Sequence, residues 1–428
     1  MPLNMGSWVE SEFLGPDGED WRVPVTELEH RIELLSKALQ EEKIPGVFVQ
    51  HPVDLYYFSG GRQNATLFVP AGGSKATAKN GGAGPVLMVR RSLSRAKYEA
   101  GGDNSPFEIL PFPRMKTLVE FLQQRGVEQA PALQFGELPS NFTSRFTSIL
   151  APLGTCMDAT SVIHRIRETK SQWEIQQMKA SAQIQAKMFE AVELKLKLGV
   201  SELELVAAAE EVSRREGFGG NIQMRRFPLQ CDRGVIVSGR AGGIPSFFDS
   251  AIGGTGAHPL SGMGSGFSKI QQNQPILVDL VHVHRGYVVD KTRMFSIGKL
   301  SKDWHQRLED MVEVSKEVVS SLGAGENCSQ AWEVGSQLAY QMGYEDNLMG
   351  MKPDQSKFLG HSVGLQLDES PVVARGFDRP LTVGGTMAIE PKVVYNDGSI
   401  GIEDTWIRGS EGLECITNSV STDWIVEM

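Results

Sequence analysis

Acidic side chains that must meet at one point constrain a chain more tightly than its hydrophobic pattern does. Here five metal-ligand-type residues occur in a fixed order: Asp279, Asp290, His361, Glu390 and Glu403. They lie in VDLVHVHRGYVVDKTR, GHSVG, AIEPKVVYND and GIEDTW. Four carboxylates and one imidazole carry about four negative charges, enough to neutralise two divalent cations. Asp279 and Asp290 flank a predicted hairpin centred between His284 and Arg285, which sets the two carboxylates opposite each other on one face. Glu390 and Glu403 flank a second hairpin, centred on Asn396-Asp397-Gly398, where Asp-Gly is a strong turn signal. The hairpins end alike, Asp290-Lys291-Thr292-Arg293 against Glu403-Asp404-Thr405-Trp406, as in a weak internal duplication. Each half then donates two carboxylates to one central site. A lone Asp on a strand is usually a surface or turn charge. Two opposed pairs on one face reverse that balance, because an unpaired buried carboxylate costs several kcal/mol.

The segment from Ile163 to the C-terminus resembles the pita-bread metallopeptidase family, which includes aminopeptidase P, prolidase, methionine aminopeptidase and creatinase. The resemblance rests on Gly286-Tyr287-Val288-Val289-Asp290-Lys291-Thr292-Arg293, Gly360-His361-Ser362-Val363-Gly364, Glu390-Pro391 and Ile402-Glu403-Asp404. The stretch Arg165 to Ile175 resembles the start of the family's catalytic domain. The resemblance implies an α+β pita-bread domain binding two divalent ions, manganese or cobalt, with iron and zinc also compatible. It further implies a bridging water or hydroxide, with Asp290 and Glu403 bridging, Asp279 on one ion, and His361 and Glu390 on the other. Glu390 would be the general base. The activity implied is that of an Xaa-Pro dipeptidase or aminopeptidase P, acting on small peptides, and such proteins are commonly homodimers.

Before this domain, alternating helical and strand patterns predict a smaller α/β domain over 1–162, followed by the catalytic domain over 163–428. Val25, Leu28, Ile32, Leu35 and Leu39 share one helical face, and strand-like runs follow at Gly46–Val49, Ala65–Val69 and Val86–Val89. Asp54-Leu55-Tyr56-Tyr57-Phe58-Ser59-Gly60 gives a fainter resemblance to creatinase-type N-terminal domains. The Gly- and Ala-rich stretch 71–84 reads as an exposed loop. Capping boxes at Ser171–Glu174 and Ser201–Glu204 open two helices, and Leu308, Met311, Val312 and Val319 mark a third. The Gly-rich stretch 234–266 is expected to form irregular loops over the cleft.

Composition narrows the function classes. A net charge of −10 without a Lys/Arg run counts against nucleic acid as the ligand. Cys156, Cys231, Cys328 and Cys415 lack metal-binding spacing and fit a reducing cytoplasm. The first 15 residues lack a basic region followed by an apolar core, and no apolar run of about 18 residues is present, so neither a signal peptide nor a membrane span is expected.

The remaining histidines and the departures from the family pattern bear on substrate. Strand alternation turns His282 and His284 away from Asp279. His258 lies where the family often has a histidine that contacts substrate, and is carried as a candidate catalytic residue. Asp368 stands where family peptidases carry a second histidine, which favours a substrate bearing a cation. Val281 replaces the Gly of the family's DxG, Lys392 the Gly after Glu-Pro, and Gly401 the Arg two residues before Glu403, so that Lys392 compensates in charge for the lost Arg. Arg226, Phe247 and Phe248 are candidates for gripping a proline ring or carboxylate. Two other readings stand beside peptide hydrolysis: small-molecule hydrolysis or lyase chemistry, which Asp368 favours, and a binding protein without turnover.

Overall fold

The stripe Leu28, Ile32, Leu35 and Leu39 buries all four residues on one face of α1 (Val25–Glu41). In the computed structural model, which describes residues 9–16, 18–74, 77, 82–226, 231, 234–417 and 424–428, the chain divides into Met1–Arg167 and Glu168–Met428. Residues 75–76 and 78–81 of the predicted 71–84 loop lie outside that description.

The first unit carries β1 (Gly46–Val49), β2 (Ala65–Pro70), β3 (Val86–Val89) and β4 (Glu108–Pro111) in the order β1-β2-β3-β4. Within that sheet only the β3–β4 pairing is parallel. Phe48, Phe68, Val86 and Met88 pack against Leu118, Leu122, Phe146 and Leu150 of two flanking helices. The short helix α2 (Pro52–Ser59) stops at Gly60, whose φ of 76° is the left-handed cap that glycine adopts without strain. Asp54 of α2 is fully buried and pairs with Arg167 Nη1 at 2.6 Å, while Gln134 Nε2 donates to its other oxygen at 2.6 Å. That pair ties Thr160–Glu168 to the first unit, so the division falls at the end of this helix, beyond residue 162.

The second unit begins with α3 (Gln172–Lys195) and α4 (Glu202–Arg215), whose capping boxes Ser171/Glu174 and Ser201/Glu204 form as their sequences predict. They cover a four-stranded sheet of β5 (Gly234–Ser238), β6 (Ile276–His284), β7 (Tyr287–Ser296) and β8 (Ile425–Glu427), ordered β8-β7-β6-β5. Met188, Val192, Leu205 and Ala209 pack there against Ile276, Val278 and Leu280, the even-numbered positions of β6. The odd positions, Asp279 among them, face the opposite way. On that side α5 (Lys302–Ala324) and α6 (Cys328–Gln341) pack with Leu359, Met387, Ile389 and Ile400 in a second core.

Two expectations change. The hairpin β6–β7 turns at Arg285-Gly286, with φ of 52° and 97°, rather than between His284 and Arg285. Asp279 therefore stands opposite Thr292, and Asp290 opposite Val281. The slip is a whole residue in the centre and two in the register, so both carboxylates keep one face and become diagonal neighbours. The stretch 234–266 is not loop throughout, because its Val-rich start is the fully buried strand β5, paired antiparallel with β6.

Candidate metal centre

His361 lies on β9 (Phe358–Ser362), which pairs with β10 (Glu369–Ala374) and with β11 (Thr386–Ile389). A Cβ at Gly360 would sit 2.3 Å from the Ala388 carbonyl oxygen, so only glycine allows this approach beside the ligand histidine. The second hairpin is β12 (Lys392–Tyr395) with β13 (Gly398–Gly401), and it continues into β11 paired with β14 (Asp404–Arg408). Ile389 faces Asp404 and Lys392 faces Gly401, so Glu390 and Glu403 stand opposite each other in the gap between the two ladders.

The two hairpins clasp each other reciprocally. Thr292 and Glu403 exchange backbone hydrogen bonds at 3.2 and 3.3 Å, and Thr292 Oγ1 donates to Glu403 Oε2 at 3.0 Å. In return, Thr405 Oγ1 accepts from the Asp290 N–H at 3.0 Å and donates to its carbonyl at 2.9 Å. Arg293 holds Asp404 with two bonds of 2.9 Å and donates to the Glu403 carbonyl at 2.9 Å. Each Thr of the repeated Asp/Glu-x-Thr pattern thus serves the carboxylate residue of the other half.

Asp279, Asp290, His361, Glu390 and Glu403 line one side of a cavity of about 690 Å³. Ligand atoms of Asp290, His361 and Glu403 lie within 4.8 Å of one another. Asp290 Oδ1 and Glu403 Oε1 are buried without a hydrogen-bond partner, an arrangement that costs free energy unless a cation accepts them. Burial and the neighbouring carboxylates Glu403 and Asp279 push Asp290 well above the usual carboxylate range, and burial with Glu390 pushes Glu403 up to about 8. Against burial, Lys392 and His361 draw Glu390 down to about 2. Likewise against burial, Glu390, whose Oε1 lies 3.3 Å from His361 Nε2, raises the imidazole to about 9. Hard oxygen donors with one imidazole, and two unpartnered oxygens, fit a divalent ion on Asp290, His361 and Glu403.

For a second ion the same residues do not fit. Lys392, 1% exposed, sends Nζ among the carboxylates, 2.6 Å from Glu390 Oε2, 2.8 Å from Glu403 Oε2 and 3.4 Å from Asp279 Oδ2. The sequence marked Lys392 only as a compensating charge. The signal that would have placed it is parity: positions 390 and 392, two apart in one extended run, share a face.

The other candidates separate. Asp368 lines the cavity, but its oxygens accept from the Arg225 and Arg226 N–H groups at 2.6 and 3.0 Å and from Arg226 Nε at 3.3 Å. It anchors the segment before residue 227 and leaves Arg226 half-exposed at the cavity wall beside Asp249, 3.7 Å away. The expected acceptor for a substrate cation is therefore already occupied. His258 is exposed on a turn bridged to Ser261 and does not line the cavity. Phe248 lines it, whereas Phe247 is 70% exposed and does not. His282 faces away from Asp279, as alternation predicts, yet it is fully buried beneath α4 with Nδ1 2.9 Å from Ser213 Oγ. Burial, and then His284, lower its pKa to about 3.

Known proteins share this architecture. Residues 176–407 match metallopeptidase family M24, and residues 31–169 match the creatinase/prolidase N-terminal domain. An Xaa-Pro dipeptidase of Pyrococcus furiosus is 22% identical over 396 residues, covering 92% of this chain and 99% of the relative. The solved Xaa-Pro dipeptidase from Bacillus anthracis superposes with a TM-score of 0.75 at 19% identity, over 93% of this chain and 100% of that one. The X-Pro aminopeptidase from Thermotoga maritima gives 0.71 at 18% identity, over 90% and 98%. The fold is shared along nearly the whole of each chain.

Proposed function

Because this chain belongs to metallopeptidase family M24, we propose that it hydrolyses the peptide bond before proline in small peptides, as an Xaa-Pro dipeptidase or aminopeptidase P-like enzyme. The observation that carries the proposal is the gathering of Asp279, Asp290, His361, Glu390 and Glu403 on the wall of one cavity. Asp290, His361 and Glu403 would hold a divalent ion, for which manganese or cobalt suits mixed oxygen and imidazole donors and iron or zinc is also compatible. When bound, such an ion lowers the pKa of water and polarises a carbonyl.

The chain's own residues supply the rest. Glu390 lies at the cavity wall, and the family resemblance makes it the candidate to take a proton from an attacking water. Asp290 and Glu403 are fixed by the reciprocal Thr405 and Thr292 bonds, which preorganise the donors. Arg226 offers a guanidinium to a substrate carboxylate. The family resemblance implies two ions, of which the residues present fit one, and adds a homodimer to this reading. Scattered thiols, none of them in a disulfide among the described residues, support a cytoplasmic setting. Among the described residues no helix is long and apolar enough to cross a membrane.

The test is product formation from a panel of Xaa-Pro and non-proline di- and tripeptides, with manganese- or cobalt-loaded protein against Glu390→Gln. Cleavage confined to Xaa-Pro bonds is expected, falling about 10²–10⁴-fold in the variant. If metal-loaded protein leaves every peptide intact, the peptidase reading fails and small-molecule chemistry takes its place, since Asp368 stands where family peptidases carry a histidine.

A further inference from the structure

The position of Lys392 bears on how many ions the centre holds, a question that rests on the metal-centre reading above. The Lys392 ammonium donates to the carboxylates of Glu390 and Glu403 and lies 3.4 Å from that of Asp279. Two of these, Glu390 and Asp279, are the candidate donors absent from the compact Asp290–His361–Glu403 set. The donor oxygens are thus divided: Asp290 Oδ1 and Glu403 Oε1 are unpartnered, whereas Glu390 Oε2 and Glu403 Oε2 accept from a covalently attached cation.

The strand opposite makes this placement permanent. Lys392 pairs directly with Gly401 in the β12–β13 ladder. A Cβ at 401 would stand 2.5 Å from the Pro391 carbonyl oxygen, 2.7 Å from Lys392 Cα and 2.7 Å from Lys392 Cγ, so a side chain there meets both the opposite backbone and the lysine stem. Against the family pattern the two partners have exchanged character: lysine where the family has glycine, and glycine where it has arginine. With no side chain at 401 the two strands approach closely, and the lysine stem passes that position on its way to the carboxylates. Its stem and head are enclosed at 1% exposure, and Lys392 does not line the cavity.

Charge agrees with the geometry. Four carboxylates, one ammonium and one divalent ion sum to −1. Four carboxylates with two divalent ions and one hydroxide also sum to −1. A second divalent ion added beside the ammonium would face like charge at close range and compete for oxygens that Nζ already holds.

We propose that this chain binds a single divalent ion, on Asp290, His361 and Glu403, and that the Lys392 ammonium permanently takes the place of the second ion. Lys392 is a positioning residue, since it acts through Glu390, Glu403 and Asp279 and touches no cavity-bound molecule.

The test reads stoichiometry. The full chain is stripped with chelator and titrated with Mn²⁺, with bound metal measured by elemental analysis and calorimetry and electron paramagnetic resonance recorded at saturation. One equivalent, with the six-line spectrum of an isolated ion, is expected for the natural chain. Two equivalents, with an exchange-coupled spectrum, are expected for Lys392→Met and for the exchanged pair Lys392→Gly with Gly401→Arg. Two tightly bound equivalents in the natural chain overturn the proposal, as does none. One equivalent in all three proteins also overturns it, because the lysine would then not set the number. Should a variant fail to fold, the natural chain's stoichiometry and spectrum still decide. Peptide cleavage plays no part in the measurement, so failure here is distinct from failure of the peptidase reading.

Discussion

Thr292 hands its hydroxyl proton to Glu403 Oε2 while standing directly across the ladder from Asp279. Replacing it by valine preserves shape and strand propensity but leaves Glu403 Oε2 to Lys392 alone, and the expected result is a 10- to 100-fold weaker Mn²⁺ affinity, read by calorimetry. Thr405→Val strikes the other half: the buried Asp290 N–H and carbonyl both lose their partner, at a cost of about 1–3 kcal/mol in urea denaturation. That the five candidate donors would gather at one cavity was legible in the sequence, because residue type, parity and motif all point to the same positions. Lys392 was legible only as an odd residue. Parity sets its face, but which carboxylates its ammonium reaches depends on Asp279 and Glu403, brought in from two other strand segments. Asp368 misled for a similar reason. Its partners, the N–H groups of Arg225 and Arg226, arrive from a loop more than a hundred residues earlier in the chain.

Among elements, helices with capping boxes and strands with β-branched runs formed where their signals stood, since both kinds of signal are local. The β6–β7 turn did not, because Arg285 takes a left-handed φ of 52° that residue type does not announce. The error left both aspartates on one face, so the site survived a wrong register. The buried bond between α2 and the helix Thr160–Glu168 offers a cleaner test of element packing. Burial pushes the Asp54 carboxyl up, but Arg167 and His51 outweigh it and hold the group well below its usual 3.8. A depressed folded-state value means the stabilisation is fully present above the usual value and is lost as the pH falls from there. Asp54→Ala leaves Arg167 buried without its carboxylate and should cost about 3–5 kcal/mol near neutral pH by urea denaturation. The gap between the two proteins should narrow as the pH drops below about 4. A gap that is constant with pH would assign the effect to packing instead.

At the scale of the whole molecule, the candidate centre is assembled from two hairpins and the strand β9 that carries His361, and none of the three holds a complete donor set. An ion bound there links the halves, so it stabilises the folded chain by mass action, by about 4 kcal/mol when free ion exceeds the dissociation constant a thousandfold. For a unit of this size that is a rise in Tm of roughly 10 °C, measurable by calorimetry with and without Mn²⁺. A transition that saturating Mn²⁺ leaves unmoved would show that no ion joins the halves. Lys392 belongs to the same scale, because it is a counter-ion joined to the backbone. Its local concentration at the carboxylates, on the order of millimolar or higher, is set by the length of its own stem. Neither dilution nor a chelator can lower it. A cell starved of metal would still make a chain with three of its four carboxylates partly compensated. That part of the site's counter-charge is translated with the protein and inherited with the gene.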